Sequence, residues 1–155
     1  MICVRNEDYG IVKGKPEGRY CVYNKTRESL LSLNVTSADT HLSRLKGLLG
    51  KLRLRSDEGL WVTPSRGIHS IGLLFPIDLI YLDSANRVIH LIESFGTFRI
   101  GPIMLNCSSV LELASRSIYC SQTQVGDEFL ICTPEELEQH LETASRSARD
   151  NASRL

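Results

Sequence analysis

The spacing of apolar residues changes character several times along this chain, and each change marks a different kind of element. Tyr20-Cys21-Val22-Tyr23 and Leu30-Leu31-Ser32-Leu33-Asn34-Val35 are β-prone runs, and Asn24 to Glu28 between them predicts a hairpin-like turn. Leucines then recur at three- and four-residue steps, at Leu42, Leu45, Leu48 and Leu49, the period of one helical face. Thr36-Ser37-Ala38-Asp39 offers capping side chains ahead of them, and Gly50 ends this short helix. Leu52 and Leu54 alternate with Arg53 and Arg55, which predicts a short edge strand.

From Gly59 to Ile131 the pattern becomes a series of short strands punctuated by turn residues. Ile77 to Leu82 is apolar on both faces and reads as a central strand, which Ser84-Ala85-Asn86 turns into an antiparallel neighbour, Arg87 to Ile92. Ser109 to Leu113 and Asp127 to Ile131 supply two more. Many strands with few helices predict a mostly β fold, a compact antiparallel sandwich or barrel. Thr133-Pro134-Glu135-Glu136 is then a capping box with Pro at the first helical position, and Leu137, Leu141 and Ala144 carry a helix to about Arg146. Its apolar stripe is narrow, so it is expected at the surface, open to a protein partner or to a second copy of the chain. The expected organisation is an N-terminal extension over 1–28, a β domain over 29–132 and a helix with tail over 133–155.

Length and charge narrow the function classes. The 155 residues suit one domain, and 18 basic against 18 acidic residues leave no net charge. A dedicated nucleic-acid binder carries a basic excess that is missing here. Arg44, Lys46, Lys51, Arg53 and Arg55 nevertheless fall within a stretch free of acids, while Glu135, Glu136, Glu138 and Glu142 cluster near the other end. Two solvated faces explain this, or a basic stretch that touches an anionic partner.

Five cysteines, Cys3, Cys21, Cys107, Cys120 and Cys132, stand apart without any CxxC, which removes the common zinc and thioredoxin patterns. They read as small buried hydrophobes of a reducing compartment. Residues 1–8 hold no apolar signal core, and the longest apolar run, Ile71 to Leu82, is broken by Gly72, Pro76 and Asp78. The expectation is a soluble, cytoplasmic protein with no membrane span.

Candidate chemistry is sparse. His69 and Asp78 stand nine residues apart around two turns, so a carboxylate could orient an imidazole for acid–base work; equally, both could satisfy backbone groups at a tight crossing. The four histidines, His41, His69, His90 and His140, show no HxH, HxxxH or HExxH spacing, so no metal is expected. GxSxG, GxGxxG and P-loop patterns are absent, and no cofactor is expected. Trp61 is either a core anchor or the wall of a groove with its indole N–H facing a ligand. Asp127 follows Gly126 in a turn, where an Asp commonly bonds its own loop.

In order and spacing, Gly59-Leu60-Trp61, Ile68-His69-Ser70-Ile71-Gly72-Leu73, Phe75-Pro76-Ile77-Asp78 with Leu82-Asp83, Val110-Leu111-Glu112-Leu113 and Val125-Gly126-Asp127 resemble one prokaryotic family. It is domain of unknown function 192, in the branch with His-Thr-x-Gly-Met before Phe-Pro-Ile-Asp. The resemblance covers about Leu42 to Ile131 and implies a jelly-roll-like sandwich or barrel with a small helix near its start. It implies no activity. Members of this branch are often encoded near Tad/Flp pilus or secretion components, which implies an accessory role. The chain departs from the pattern at Ser70 in place of Thr, at Leu73 in place of Met, and at Arg116 or Ser117 in place of a Gly.

The candidate ligand-binding or structural set is therefore Trp61, His69, Ser70, Gly72, Asp78, Asp83, Gly126 and Asp127. The expected function is a non-catalytic binding or assembly module with no nucleic acid. The alternative is a small-molecule-binding protein or enzyme with a site around His69, Ser70 and Asp78.

Overall fold

The computed structural model describes residues 18–38 and 48–152. Residues 1–17 of the expected N-terminal extension and most of the first predicted helix, 39–47, lie outside the described residues.

Seven strands follow one another as β1 (Arg19–Asn24), β2 (Ser29–Ala38), β3 (Glu58–Val62), β4 (Ile77–Leu82), β5 (Val88–Phe95), β6 (Ser109–Ala114) and β7 (Phe129–Cys132). Helix α1 (Ser117–Ser121) precedes β7, and α2 (Pro134–Ala152) follows it. All seven strands belong to one sheet, in the order β5-β4-β6-β3-β2-β1-β7. Among the described residues only β2 and β3 pair in parallel.

The sheet curls until its two outer strands meet at a corner. Val88 N donates to Asp127 O at 2.9 Å, and Phe129 N to Asn86 O at 2.9 Å. The fold is mostly β and barrel-like. The contact is confined to this corner, where Arg87 bridges Glu128.

The strands place alternate residues on the two faces of the sheet. Val22, Val35, Ile80, Leu82, Val88, Leu111, Leu113 and Phe129 form a cluster drawn from six strands, including both outer ones, so it fills the concave side. Ile118 of α1 plugs it. On the convex side Leu60, Val62, Ile77, Leu79, Tyr81 and Val110 are covered by Leu48, Leu73, Phe75 and Cys107, which come from connecting segments. Coverage of both faces is why all six residues of β4 are buried.

The hairpin of β4 and β5 forms as the sequence predicts, with Ile80 opposite Leu91 and Leu82 opposite Val88. So does the hairpin of β1 and β2. Strand β1, expected within an N-terminal extension, lies inside the sheet, because β2 and β7 flank it. Residues 51–55, expected as an edge strand, form none. The adjacent β3 already pairs with β2 and β6, so Leu54 instead packs on the convex core while Leu52 is left 82% exposed. Helix α2 runs on to Ala152, past the expected end near Arg146, and buries only Leu137, against Cys21, Tyr23 and Cys132.

Candidate functional site: two clasped loops on the convex face

Two long connections, 63–76 between β3 and β4 and 96–108 between β5 and β6, lie together over the convex core. Ser70 holds them. Its hydroxyl donates to Gly96 O at 2.6 Å and accepts from Arg99 N at 2.9 Å. Its own N–H donates to Arg99 O at 2.8 Å, and its carbonyl accepts from Phe98 N at 3.0 Å. Gly101 N to Ile68 O at 2.7 Å and Met104 N to Arg66 O at 2.8 Å extend the contact.

Glycines permit this close approach. A Cβ on Gly101 would stand 2.7 Å from the Tyr81 hydroxyl, and one on Gly72, at φ 88°, 2.5 Å from Leu49 Cδ2. Phe98 adopts φ 54°, a left-handed backbone that a bulky side chain holds at a cost of about 1–3 kcal/mol. The bonds from Ser70 on either side of it keep it there.

The layer is apolar on both sides. Ile68, Leu73, Phe75, Met104 and Cys107 face the core, while Ile71, Leu74, Phe98, Ile100, Ile103 and Leu105 are 51–81% exposed. Segments 66–76 and 96–108 contain Arg66, His69 and Arg99 but no carboxylate. Neither Arg66 nor Arg99 pairs with an acid among the described residues. His69 is exposed within this layer, bridged to Ile100 through the backbone.

The structure does not bring His69 and Asp78 together. Asp78 shares the concave side with Ile80, fully buried, and accepts Ser94 N at 2.9 Å and Ile118 N at 3.0 Å. The second bond caps α1, whose own N-cap residue, Arg116, makes no side-chain cap bond. A buried carboxylate doing the work of a helix cap is a framework group.

The other candidates are also engaged within the fold. Asp83 accepts Ala85 N and Arg87 N, each at 2.9 Å, and so shapes the turn between β4 and β5. Asp127 accepts Asn24 Nδ2 at 2.9 Å, Arg27 Nε at 3.1 Å and Gln124 N at 2.9 Å. Burial alone would raise its pKa, but the bonds from Arg27, Asn24 and Gln124 outweigh that and hold the carboxyl below its ordinary value. Gly126, at φ 95°, supplies the left-handed residue of that turn. Trp61 is half-buried, edge-on to Tyr20 at 5.5 Å between centroids, and its indole N–H meets no acceptor.

The free thiols among the described residues are muted, and Cys120 is disulfide-bonded, contrary to its expected place among the small hydrophobes of a reducing compartment. Burial pushes the Cys21 thiol up to about 11 and the Cys132 thiol up to about 12, so both stay protonated near neutrality. Burial likewise pushes Tyr81 up to about 12. Among the described residues no three His, Cys, Asp or Glu side chains gather as a metal site, and no helix is long and apolar enough to cross a membrane. Sequence reading missed the outward residues Phe98, Ile100, Ile103 and Leu105. The signal available was an acid-free apolar run with neither the strand nor the helix period.

Residues 22–131, with the Ser70 clasp and the Asp78 cap among them, match the family model of domain of unknown function 192, described as "Uncharacterized ACR". The chain belongs to this family. The match begins well before Leu42, so β1 and β2 are part of the family fold and not additions to it. No curated protein matches the chain. Two solved structures resemble this domain of unknown function 192 protein. One is a protein of unknown function from Novosphingobium aromaticivorans DSM 12444, 18% identical over 72% of this chain and 83% of its own, with a TM-score of 0.61. The other is a proposed transcription regulator from Sinorhizobium meliloti 1021, 18% identical over 73% of this chain and 92% of its own, at 0.59. At that identity they establish a shared fold and nothing more.

Proposed function

We propose that this member of domain of unknown function 192 is a non-catalytic binding or assembly module whose contact surface is the clasped loop layer. One observation carries the reading. Motif groups that looked chemical, Ser70, Asp78, Asp83 and Asp127, hold backbone in place, while the two loops that Ser70 clasps turn six large apolar side chains to water. Large apolar side chains exposed together on two clasped loops mark an interaction site. Helix α2, exposed along nearly all its length beyond Leu137, is a second element available to a protein partner. An accessory role beside a pilus or secretion system rests on the family resemblance. The regulatory role proposed for the Sinorhizobium protein draws no support from a chain with balanced charge.

The test is affinity purification of the full chain from its native host, followed by mass spectrometry, alongside an Ile100→Asp/Ile103→Asp variant. Associated material present with the wild type and lost with the variant is the expected result. Crystals soaked in lysate metabolites that showed a small molecule against His69 would overturn the reading in favour of a ligand site.

A further inference from the structure

Resting on that reading, we infer that the loop layer is a peripheral contact for an anionic lipid bilayer. Four features of the surface point there. First, its apolar side chains stand clear of their surroundings: Leu74 is 60% exposed, Phe98 65%, Ile100 and Ile103 each 76%, and Leu105 81%. Side chains so detached need no matching pocket and are satisfied by a fluid apolar phase at shallow depth.

Second, charge is one-sided. Arg66 and Arg99 lie within the layer, and segment 49–55 beside it adds Lys51, Arg53 and Arg55 with no acid. Gly72 abuts Leu49, which joins that segment to the layer. Lys51 and Arg55 already pair with Glu58 and Asp57, whereas Arg53, Arg66 and Arg99 have no acidic partner among the described residues. Basic side chains around an apolar patch complement anionic headgroups.

Third, the loop backbone is prepared for a poorly hydrating medium. Irregular segments normally leave N–H and C=O groups for water, and such groups resist entry into the interface. Here Ser70 N and O, Phe98 N, Arg99 N and O, Gly101 N and Met104 N are all bonded between the two loops or to Ser70 Oγ. Fourth, Phe98 holds a left-handed backbone while its ring points into solvent, although a smaller polar residue would adopt that conformation more easily. A nucleic acid, the other common polyanion, offers little to exposed aliphatic side chains.

Flotation of the full chain with vesicles tests this, using phosphatidylcholine alone and an equal mixture with phosphatidylglycerol. The chain is expected to float with the mixed vesicles and less with the neutral ones, and salt should weaken the binding. Ile100→Asp/Ile103→Asp should lower the affinity by about tenfold or more, since both aliphatic side chains leave the acyl boundary. Arg66→Glu/Arg99→Glu should abolish the preference for the anionic mixture while retaining the native circular dichroism spectrum. Wild-type protein that stays in solution with both vesicles overturns the lipid inference. If host material is still lost from the Ile100→Asp/Ile103→Asp variant, the binding-module reading survives that failure; if nothing is lost, both fall. A wild-type dimer that Ile100→Asp/Ile103→Asp converts to monomer, without flotation, identifies a second copy as the occupant and also overturns the lipid inference.

Discussion

The concave core and the convex loop layer use polar residues in opposite ways. Inside the curl, buried carboxylates connect pieces of chain distant in sequence: Asp78 reaches Ile118, and Asp127 reaches Asn24 and Arg27. The buried apolar side chains there pack on one another. In the loop layer Ser70 performs the equivalent linking, yet what it fixes is a surface that remains apolar toward solvent. The concave side is complete in itself, whereas the convex layer is finished on one side only. A clasped layer left uncovered is the surface on which the proposed binding function rests.

The largest expected effect comes from breaking the concave side. Asp78→Ala orphans the buried donor Ile118 N and the part-buried donor Ser94 N, and uncaps α1. The cost should be about 2–5 kcal/mol, read as a lower urea midpoint at unchanged slope. A loss under about 1 kcal/mol would mean that water replaces the carboxylate and that the interior is less closed than its packing implies.

Asp127 sharpens the same point through pH. Its carboxyl is held below the ordinary 3.8, so its ionised form stabilises the fold above that value. That contribution fades as pH falls through the lower, folded value. Asp127→Asn should cost about 1–3 kcal/mol at neutral pH by weakening the bonds to Arg27 and Gln124. Between pH 7 and the acid limb the variant should lose less stability than the wild type. Parallel acid-unfolding curves would remove Asp127 from the account.

How much of this was legible beforehand divides along the same line. The strands and hairpins of the interior announced themselves, because short β-prone apolar runs bounded by turn residues, as in Ile77 to Leu82 and Val88 to Ile92, are a local signal. That β1 would be interior, and that 51–55 would pair with nothing, depends on which strand edges remain free, and no local pattern reports that. The motif residues were visible as a set, but their roles were not. His69 and Asp78 are close in sequence, yet the concave core holds one and the convex surface the other. The outward apolar residues of 96–108 escaped notice because a layer apolar on both sides follows no period.

Ser70 offers the milder break on the convex side. Ser70→Ala removes the hydroxyl bonds to Gly96 O and Arg99 N and should cost about 1–2 kcal/mol. The sharper readout is hydrogen exchange, which should quicken at Phe98, Arg99 and Gly101 while β4 and β6 keep their protection. Ser70→Thr, which keeps the hydroxyl, should restore slow exchange. If exchange quickened across the whole sheet instead, the loops would be part of the cooperative core and the contrast between the two regions would collapse.

The smallest effect is the most discriminating. Ile103→Ser and Leu105→Ser remove side chains that are 76% and 81% exposed and pack little against the protein. Their burial contributes almost nothing to folding, so thermal or urea unfolding should move by less than about 0.5 kcal/mol in either variant. Ordinary core leucines lose about 2–5 kcal/mol on truncation, so the two outcomes are well separated. A loss above about 1 kcal/mol would show that these side chains are packed in solution, by another part of the chain or by a second copy. Unchanged stability together with weakened association would place their purpose outside the fold, where selection for binding and not for stability maintains an apolar surface that water alone would disfavour.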